Sequence, residues 1–180
     1  DGGERVLVMG NDFYSSPRLS PDGRRLAWLS WDHPRMPWQG TELWVADVQE
    51  DGRLGTPLRV AGGPQESICQ PEWSPAGVLH FVSDRSGWWN LYCLRESAGG
   101  TASAVEALCP MAAEFATPHW TFGNSLYGFA ANSEIVCSYI EQGVSKLACL
   151  RAGSTVLEPI VTPYQEIREL RVGDGYVVVL

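Results

Sequence analysis

The chain has few basic residues, few cysteines and no long apolar run, and each shortage removes a class of protein. Thirteen Lys and Arg stand against twenty-one Asp and Glu, a formal net charge of −8 at pH 7, so a surface that tracks a phosphate backbone is not expected. Nucleic acid is therefore not an expected partner. No stretch approaches the ~18 apolar residues of a membrane-spanning helix, and the segment from Asp1 has no signal-peptide pattern; a membrane partner is not expected either. The five cysteines are odd in number and form no Cys-x-x-Cys pair. They read as small buried hydrophobes in a reducing, cytoplasmic setting. Neither a metal site nor a cofactor site can be placed from spacing, and none is expected. Helical periodicity is never sustained, the sole helix candidate being about one turn near Met111-Ala112-Ala113-Glu114-Phe115.

What the chain does have is repetition. Pro17-Arg18-Leu19-Ser20-Pro21-Asp22-Gly23, followed by Leu26-Ala27-Trp28-Leu29, returns as Pro71-Glu72-Trp73-Ser74-Pro75-Ala76-Gly77 followed by Val78-Leu79-His80-Phe81-Val82. A second landmark recurs as Thr41-Glu42-Leu43-Trp44-Val45-Ala46-Asp47, Trp89-Asn90-Leu91-Tyr92-Cys93-Leu94 and Ser145-Lys146-Leu147-Ala148-Cys149-Leu150. Counting back from the last of these reaches Ile135-Val136-Cys137-Ser138-Tyr139, a third unit whose opening has drifted. A period of roughly 40 to 55 residues means a propeller, solenoid or array.

Each unit offers four short runs rich in Val, Leu, Tyr and Trp, bounded by Pro, Gly, Asp and Ser, which read as strands joined by turns. In the second unit they fall around Gln70–Trp73, Val78–Ser83, Asn90–Arg95 and Val105–Cys109. The middle runs are apolar at successive positions, as expected for strands buried on both faces. A propeller blade packed between two others provides that burial. The expected fold is therefore all-β: a partial β-propeller of four-stranded antiparallel blades. Its blade-like units span about residues 12–63, 64–115 and 116–163, with a partial unit at 164–180 that turns at Gly173-Asp174-Gly175. Arg5-Val6-Leu7-Val8 reads as the outermost strand of a preceding blade. By alignment with Val45, Phe81 and Trp28, the residues Cys93, Cys137 and Cys149 should be buried.

Ser83-Asp84-Arg85-Ser86-Gly87-Trp88-Trp89-Asn90-Leu91-Tyr92 is more particular than a generic blade. With Asp12-Phe13-Tyr14-Ser15-Ser16-Pro17, Leu29-Ser30-Trp31-Asp32-His33-Pro34, Met36-Pro37-Trp38, Pro118-His119-Trp120-Thr121-Phe122-Gly123 and Thr162-Pro163-Tyr164-Gln165-Glu166-Ile167, it resembles the non-catalytic propeller of prolyl-oligopeptidase-family serine peptidases, in the acylaminoacyl-peptidase and dipeptidyl-aminopeptidase-like branch. The resemblance runs from about Asp12 to Ile167. It implies a parent that hydrolyses short peptides with a Ser-Asp-His triad on an α/β-hydrolase domain. The propeller would cap that domain and admit peptides in preference to folded proteins. The alternative is a free-standing, TolB-like binding propeller.

No hydrolase domain is expected in residues 1–180, and the chain itself is not expected to be an enzyme. A nucleophile elbow needs Gly-x-Ser-x-Gly on a strand-to-helix turn, whereas Gly123-Asn124-Ser125-Leu126-Tyr127-Gly128 is one residue too long and reads as a β turn. His80 lies within a strand and reads as a hydrogen-bonded packing residue; His33 and His119 sit in loops that could face a central chamber. Candidate substrate or domain contacts are Trp88, Trp89, Arg85, His33 and Trp38. The tandem tryptophans could touch a peptide or a companion domain, or wedge adjacent blades. Arg85 could bind a peptide carboxylate or be a solvated turn residue, and the insertion from Trp31 to Gly40 is a candidate contact surface. The open ends of an incomplete propeller imply self-association, or a composite blade in which Arg5–Val8 joins the last strands.

Overall fold

A computed structural model describes residues 4–96 and 103–180. Three four-stranded antiparallel sheets follow one another along the chain. The first holds β1 (Phe13–Leu19), β2 (Arg25–Trp31), β3 (Glu42–Asp47) and β4 (Leu58–Gly62) in that spatial order. The second holds β5 (Ile68–Trp73), β6 (Leu79–Ser83), β7 (Asn90–Glu96) and β8 (Ser103–Ala107). The third holds β9 (Tyr127–Phe129), β10 (Ile135–Glu141), β11 (Val144–Leu150) and β12 (Leu157–Ile160). A two-stranded hairpin, β13 (Arg171–Gly173) and β14 (Tyr176–Val178), comes last.

The β1–β2 turn shows why the repeated tetrapeptide recurs. Ser20 Oγ donates to Asp22 Oδ1 at 2.6 Å, the Arg24 amide reaches the same oxygen, and Gly23 closes the turn at φ +72°. Gly77 repeats it at +76°, and Ser133 adopts +64° at the matching place in the third sheet, so the drifted opening keeps the turn without its glycine. Pro17 and Pro71 sit at bulges, where the ladder is interrupted and a missing N–H costs no pairing.

Burial on both faces explains the continuous apolar runs. Leu79 and Phe81 of β6, with Tyr92 and Leu94 of β7, pack against Ala27, Leu29 and Leu43 of the first blade. The intervening Val82 and Leu91 face the third blade, joining Ile135, Cys137, Tyr139, Phe115 and Tyr127. Val136 and Leu147 turn the other way, onto Ile167, Leu170 and the hairpin valines. Side-chain period two is preserved; both phases are buried in the second and third sheets because each has a neighbour on either side.

Four expectations are corrected. Arg5–Val8 pairs with no strand among the described residues, and its Arg5 guanidinium instead reaches the Asp51 carbonyl at 3.3 Å. The composite terminal blade is accordingly not formed among the described residues, where β13 and β14 pair only with each other. Met111–Phe115 is not helical, because Glu114 is drawn into a bridge with Ile140. Cys93 and Cys137 are fully buried but Cys149 is only half-buried. It faces the side covered by the short hairpin, which has no third strand to reach it.

Candidate functional site

Antiparallel order places the β2–β3, β4–β5, β6–β7 and β8–β9 connections at one end of the blades, and all five sequence candidates lie there. Arg85 is not a free cation. Its guanidinium pairs with Glu66 Oε1 at 2.8 Å, an oxygen that also accepts from Ser83 Oγ at 2.6 Å, and stacks over the Tyr92 ring at 5.2 Å. Trp88 is 44 % exposed beside a buried Trp89. The Trp89 amide donates to Glu114 Oε2 at 2.8 Å, its carbonyl accepts from the Phe115 amide at 2.7 Å, and its ring belongs to the core between the second and third blades. His33 is exposed, and its backbone amide donates to Asp12 Oδ2 at 2.9 Å. Trp38 is half-buried, with its ring centroid 4.2 Å from that of Trp120.

Reading the sequence missed the polar clamps beneath this face. Asn90 is fully buried: its Nδ2 donates to the Met111 and Ala113 carbonyls, both at 3.0 Å, and its Oδ1 accepts from the Met111 amide at 2.7 Å. Gln70 joins the second and third blades. Its Nε2 donates to Tyr127 O and Ser125 Oγ, its Oε1 accepts from the Leu126 amide, and its own carbonyl accepts from the Tyr127 hydroxyl at 2.8 Å. Asn90 sits in the most distinctive segment of the sequence, which signalled importance without a role. Gln70 carried no signal, since the corresponding bulge position of the first unit is Ser16.

Ser125 Oγ donates to the Tyr127 carbonyl at 3.1 Å, which leaves its hydroxyl hydrogen engaged. Burial lowers the pKa of His80 and His119 to about 4, so both rings are neutral near pH 7. His80 bonds through Nδ1 to the Val78 carbonyl at 2.9 Å and meets Phe129 edge-on, as a packing residue does. Burial raises the thiol pKa of Cys69 and Cys137 well above its ordinary value and that of Cys109 to about 11, which disfavours the nucleophilic thiolate. Among the described residues no group of three or more His, Cys, Asp or Glu is arranged to hold a metal ion.

Four-stranded antiparallel sheets stacked face to face, each first strand beside the next, are the blades of a β-propeller present in part. Solved structures narrow this further. A puromycin hydrolase is 42% identical over 94% of this chain, with a TM-score of 0.84. A Mycobacterium tuberculosis puromycin-hydrolyzing peptidase is 36% identical over 97%, with a TM-score of 0.88. Prolyl oligopeptidase B from Galerina marginata, 13% identical over 82% of the chain with a TM-score of 0.61, shares the fold. Over nearly its whole length the chain is thus similar to one region of the puromycin-hydrolysing proteins, and it shares its fold with part of a prolyl oligopeptidase. It spans about a quarter of the length of the two puromycin-hydrolysing proteins, 25% and 26%. No protein-family model and no curated protein sequence matches it.

Proposed function

We propose that this chain is the non-catalytic, gating and scaffolding part of a serine peptidase that cleaves short peptides. The observation that carries this is the match to a puromycin hydrolase at 42% identity, which takes in 94% of this chain and only 25% of that one. The remaining length is where an α/β-hydrolase domain with its triad would reside. That domain is the first partner of the connection-bearing face, and peptide substrates are the second. Ser125 and the neutral histidines supply none of the coupled nucleophile, base and oxyanion donors that acyl transfer requires.

Gating is tested with the full-length polypeptide. It should hydrolyse aminoacyl and short-peptide reporters while leaving a folded protein that carries the same cleavable sequence intact. Equal rates on the two substrates would defeat the gating role, and no hydrolysis of either would defeat the peptidase reading.

A further inference from the structure

The connection from β8 to β9 does more than join two blades. Residues 117–126 contain no strand, yet they touch every unit of the structure. Trp120 meets Trp38 at 4.2 Å and Phe122 meets Trp31 at 5.9 Å, both in the first blade. His119 lies against Trp89 of the second blade at 5.9 Å. The Gly123 carbonyl accepts from Arg171 Nη2 of the terminal hairpin at 3.1 Å, and the chain then enters β9 of the third blade. The segment thus lies over the ends of the inner strands β1 and β5, with contacts on both sides of them.

Beneath it lies a cavity of about 40 Å³, lined on the blade side by Ser16, Arg18, Cys69 and Gln70 of the inner strands β1 and β5. The segment's anchoring is uneven: from residue 117 to 124 the internal hydrogen bonds among the described residues are Trp120 N to Pro118 O and Thr121 Oγ1 to Asn124 Oδ1, whereas its end is fixed by bonds from the Leu126 amide to Gln70 Oε1, the Ser138 amide to Leu126 O and the Leu170 amide to Ser125 O. Its hold on the first blade is aromatic. Trp120 and Phe122 remain 76 % and 62 % exposed even so. Nε2 of His119 is shut away from solvent without a protein partner among the described residues, a polar atom that lifting the segment would return to water.

We infer that residues 117–126 form a strap latched across the axial mouth of the propeller by the Trp38–Trp120 and Trp31–Phe122 pairs, and that releasing this latch opens the mouth without separating the blades. The two ring pairs hold residues 120–122 to the first blade, whereas the end of the strap is fixed by Gln70, Ser138 and Leu170 and the blades behind it are tied by full ladders and apolar cores. The consequence for substrate passage rests on the gating role proposed above; the latch itself does not.

Hydrogen exchange of the chain, followed by mass spectrometry, tests it. In the Trp120→Ala, Phe122→Ala double variant the amides of 117–124 should exchange about tenfold faster, with the Leu126 amide, held by Gln70, and β5, β6, β7 and β10 unchanged. Carbethoxylation of His119, slow in the parent chain, should accelerate in the variant, while His80 stays protected. Unaltered exchange across 117–124 would overturn the latch. A uniform acceleration through the blades would overturn it as well, because the rings would then be part of the fold and not a releasable contact. Exchange reads the strap whether or not the parent is a peptidase, so failure of one proposal is distinguishable from failure of the other.

Discussion

Asn90→Ala should lower the unfolding free energy by about 3–5 kcal/mol, a large part of the stability of a domain this size. The side chain is fully buried and satisfies two carbonyls and one amide of the link after β8. Truncation leaves the Ala113 carbonyl and the Met111 amide without these partners, each costing about 1–3 kcal/mol, while the Met111 carbonyl keeps the bond from the Ala113 amide. Asn90→Asp should be no better, since it retains the acceptor for the Met111 amide but sets a carboxylate against two carbonyl oxygens. Two residues away, Trp88→Ala should stay within about 0.5 kcal/mol, because its ring is half exposed and outside the core clusters. Denaturant midpoints of the three variants give the comparison. A loss below about 1 kcal/mol for Asn90→Ala would mean that the link re-forms its bonds elsewhere.

Acid should loosen the contact between the second and third blades before it titrates most carboxylates. Desolvation is the main cause of the lowered His80 pKa, about 4, with Arg95 adding to it and the bond to Val78 opposing it. An unfolded chain protonates this ring near pH 6.5, so between pH 6.5 and 4 the unfolded state binds more protons. The stabilisation is therefore complete above pH 6.5 and disappears as the pH falls to about 4, a loss approaching ~3 kcal/mol. His119, lowered to about 4 by the same desolvation, adds a contribution of the same sign. His80→Phe keeps an aromatic ring against Phe129 and removes the titration, so its midpoint should change less between pH 7 and 4.5 than that of the parent chain. Parallel pH profiles for the two proteins would show that His80 does not titrate across this window.

The blade framework was legible because it is written twice, once as turn chemistry and once as apolar runs in register. Leu79, Phe81 and Val82 announced a strand buried on both faces, and the structure divides them between two neighbouring cores. Arg5–Val8 shows where such reading fails: an apolar run fixes a strand only if a partner lies beside it, and none does here. The face was harder to read for a related reason. Trp38, Trp88, Trp89, Arg85 and His33 were recognisable as unusual residues in connections, but the relations of Trp38 and Trp89 depend on the 117–126 segment, which has no counterpart in the other units. Nothing local in Trp120 or Phe122 points to a partner about eighty to ninety residues earlier in the first blade. Arg85, which by sequence could meet a carboxylate ligand or be a solvated turn residue, is paired with Glu66 in space.

The most direct measurement of the central claim is fluorophosphonate labelling of the native polypeptide in its source, followed by tryptic mapping. Peptides of this chain should occur in a polypeptide several times its 19.8 kDa mass, labelled once, at a serine outside residues 1–180. The isolated chain should remain unlabelled, Ser125 included. An unlabelled stand-alone polypeptide of about this length, or stoichiometric labelling of Ser125 that Ser125→Ala abolishes, would contradict the assignment of this chain as the non-catalytic propeller of a serine peptidase.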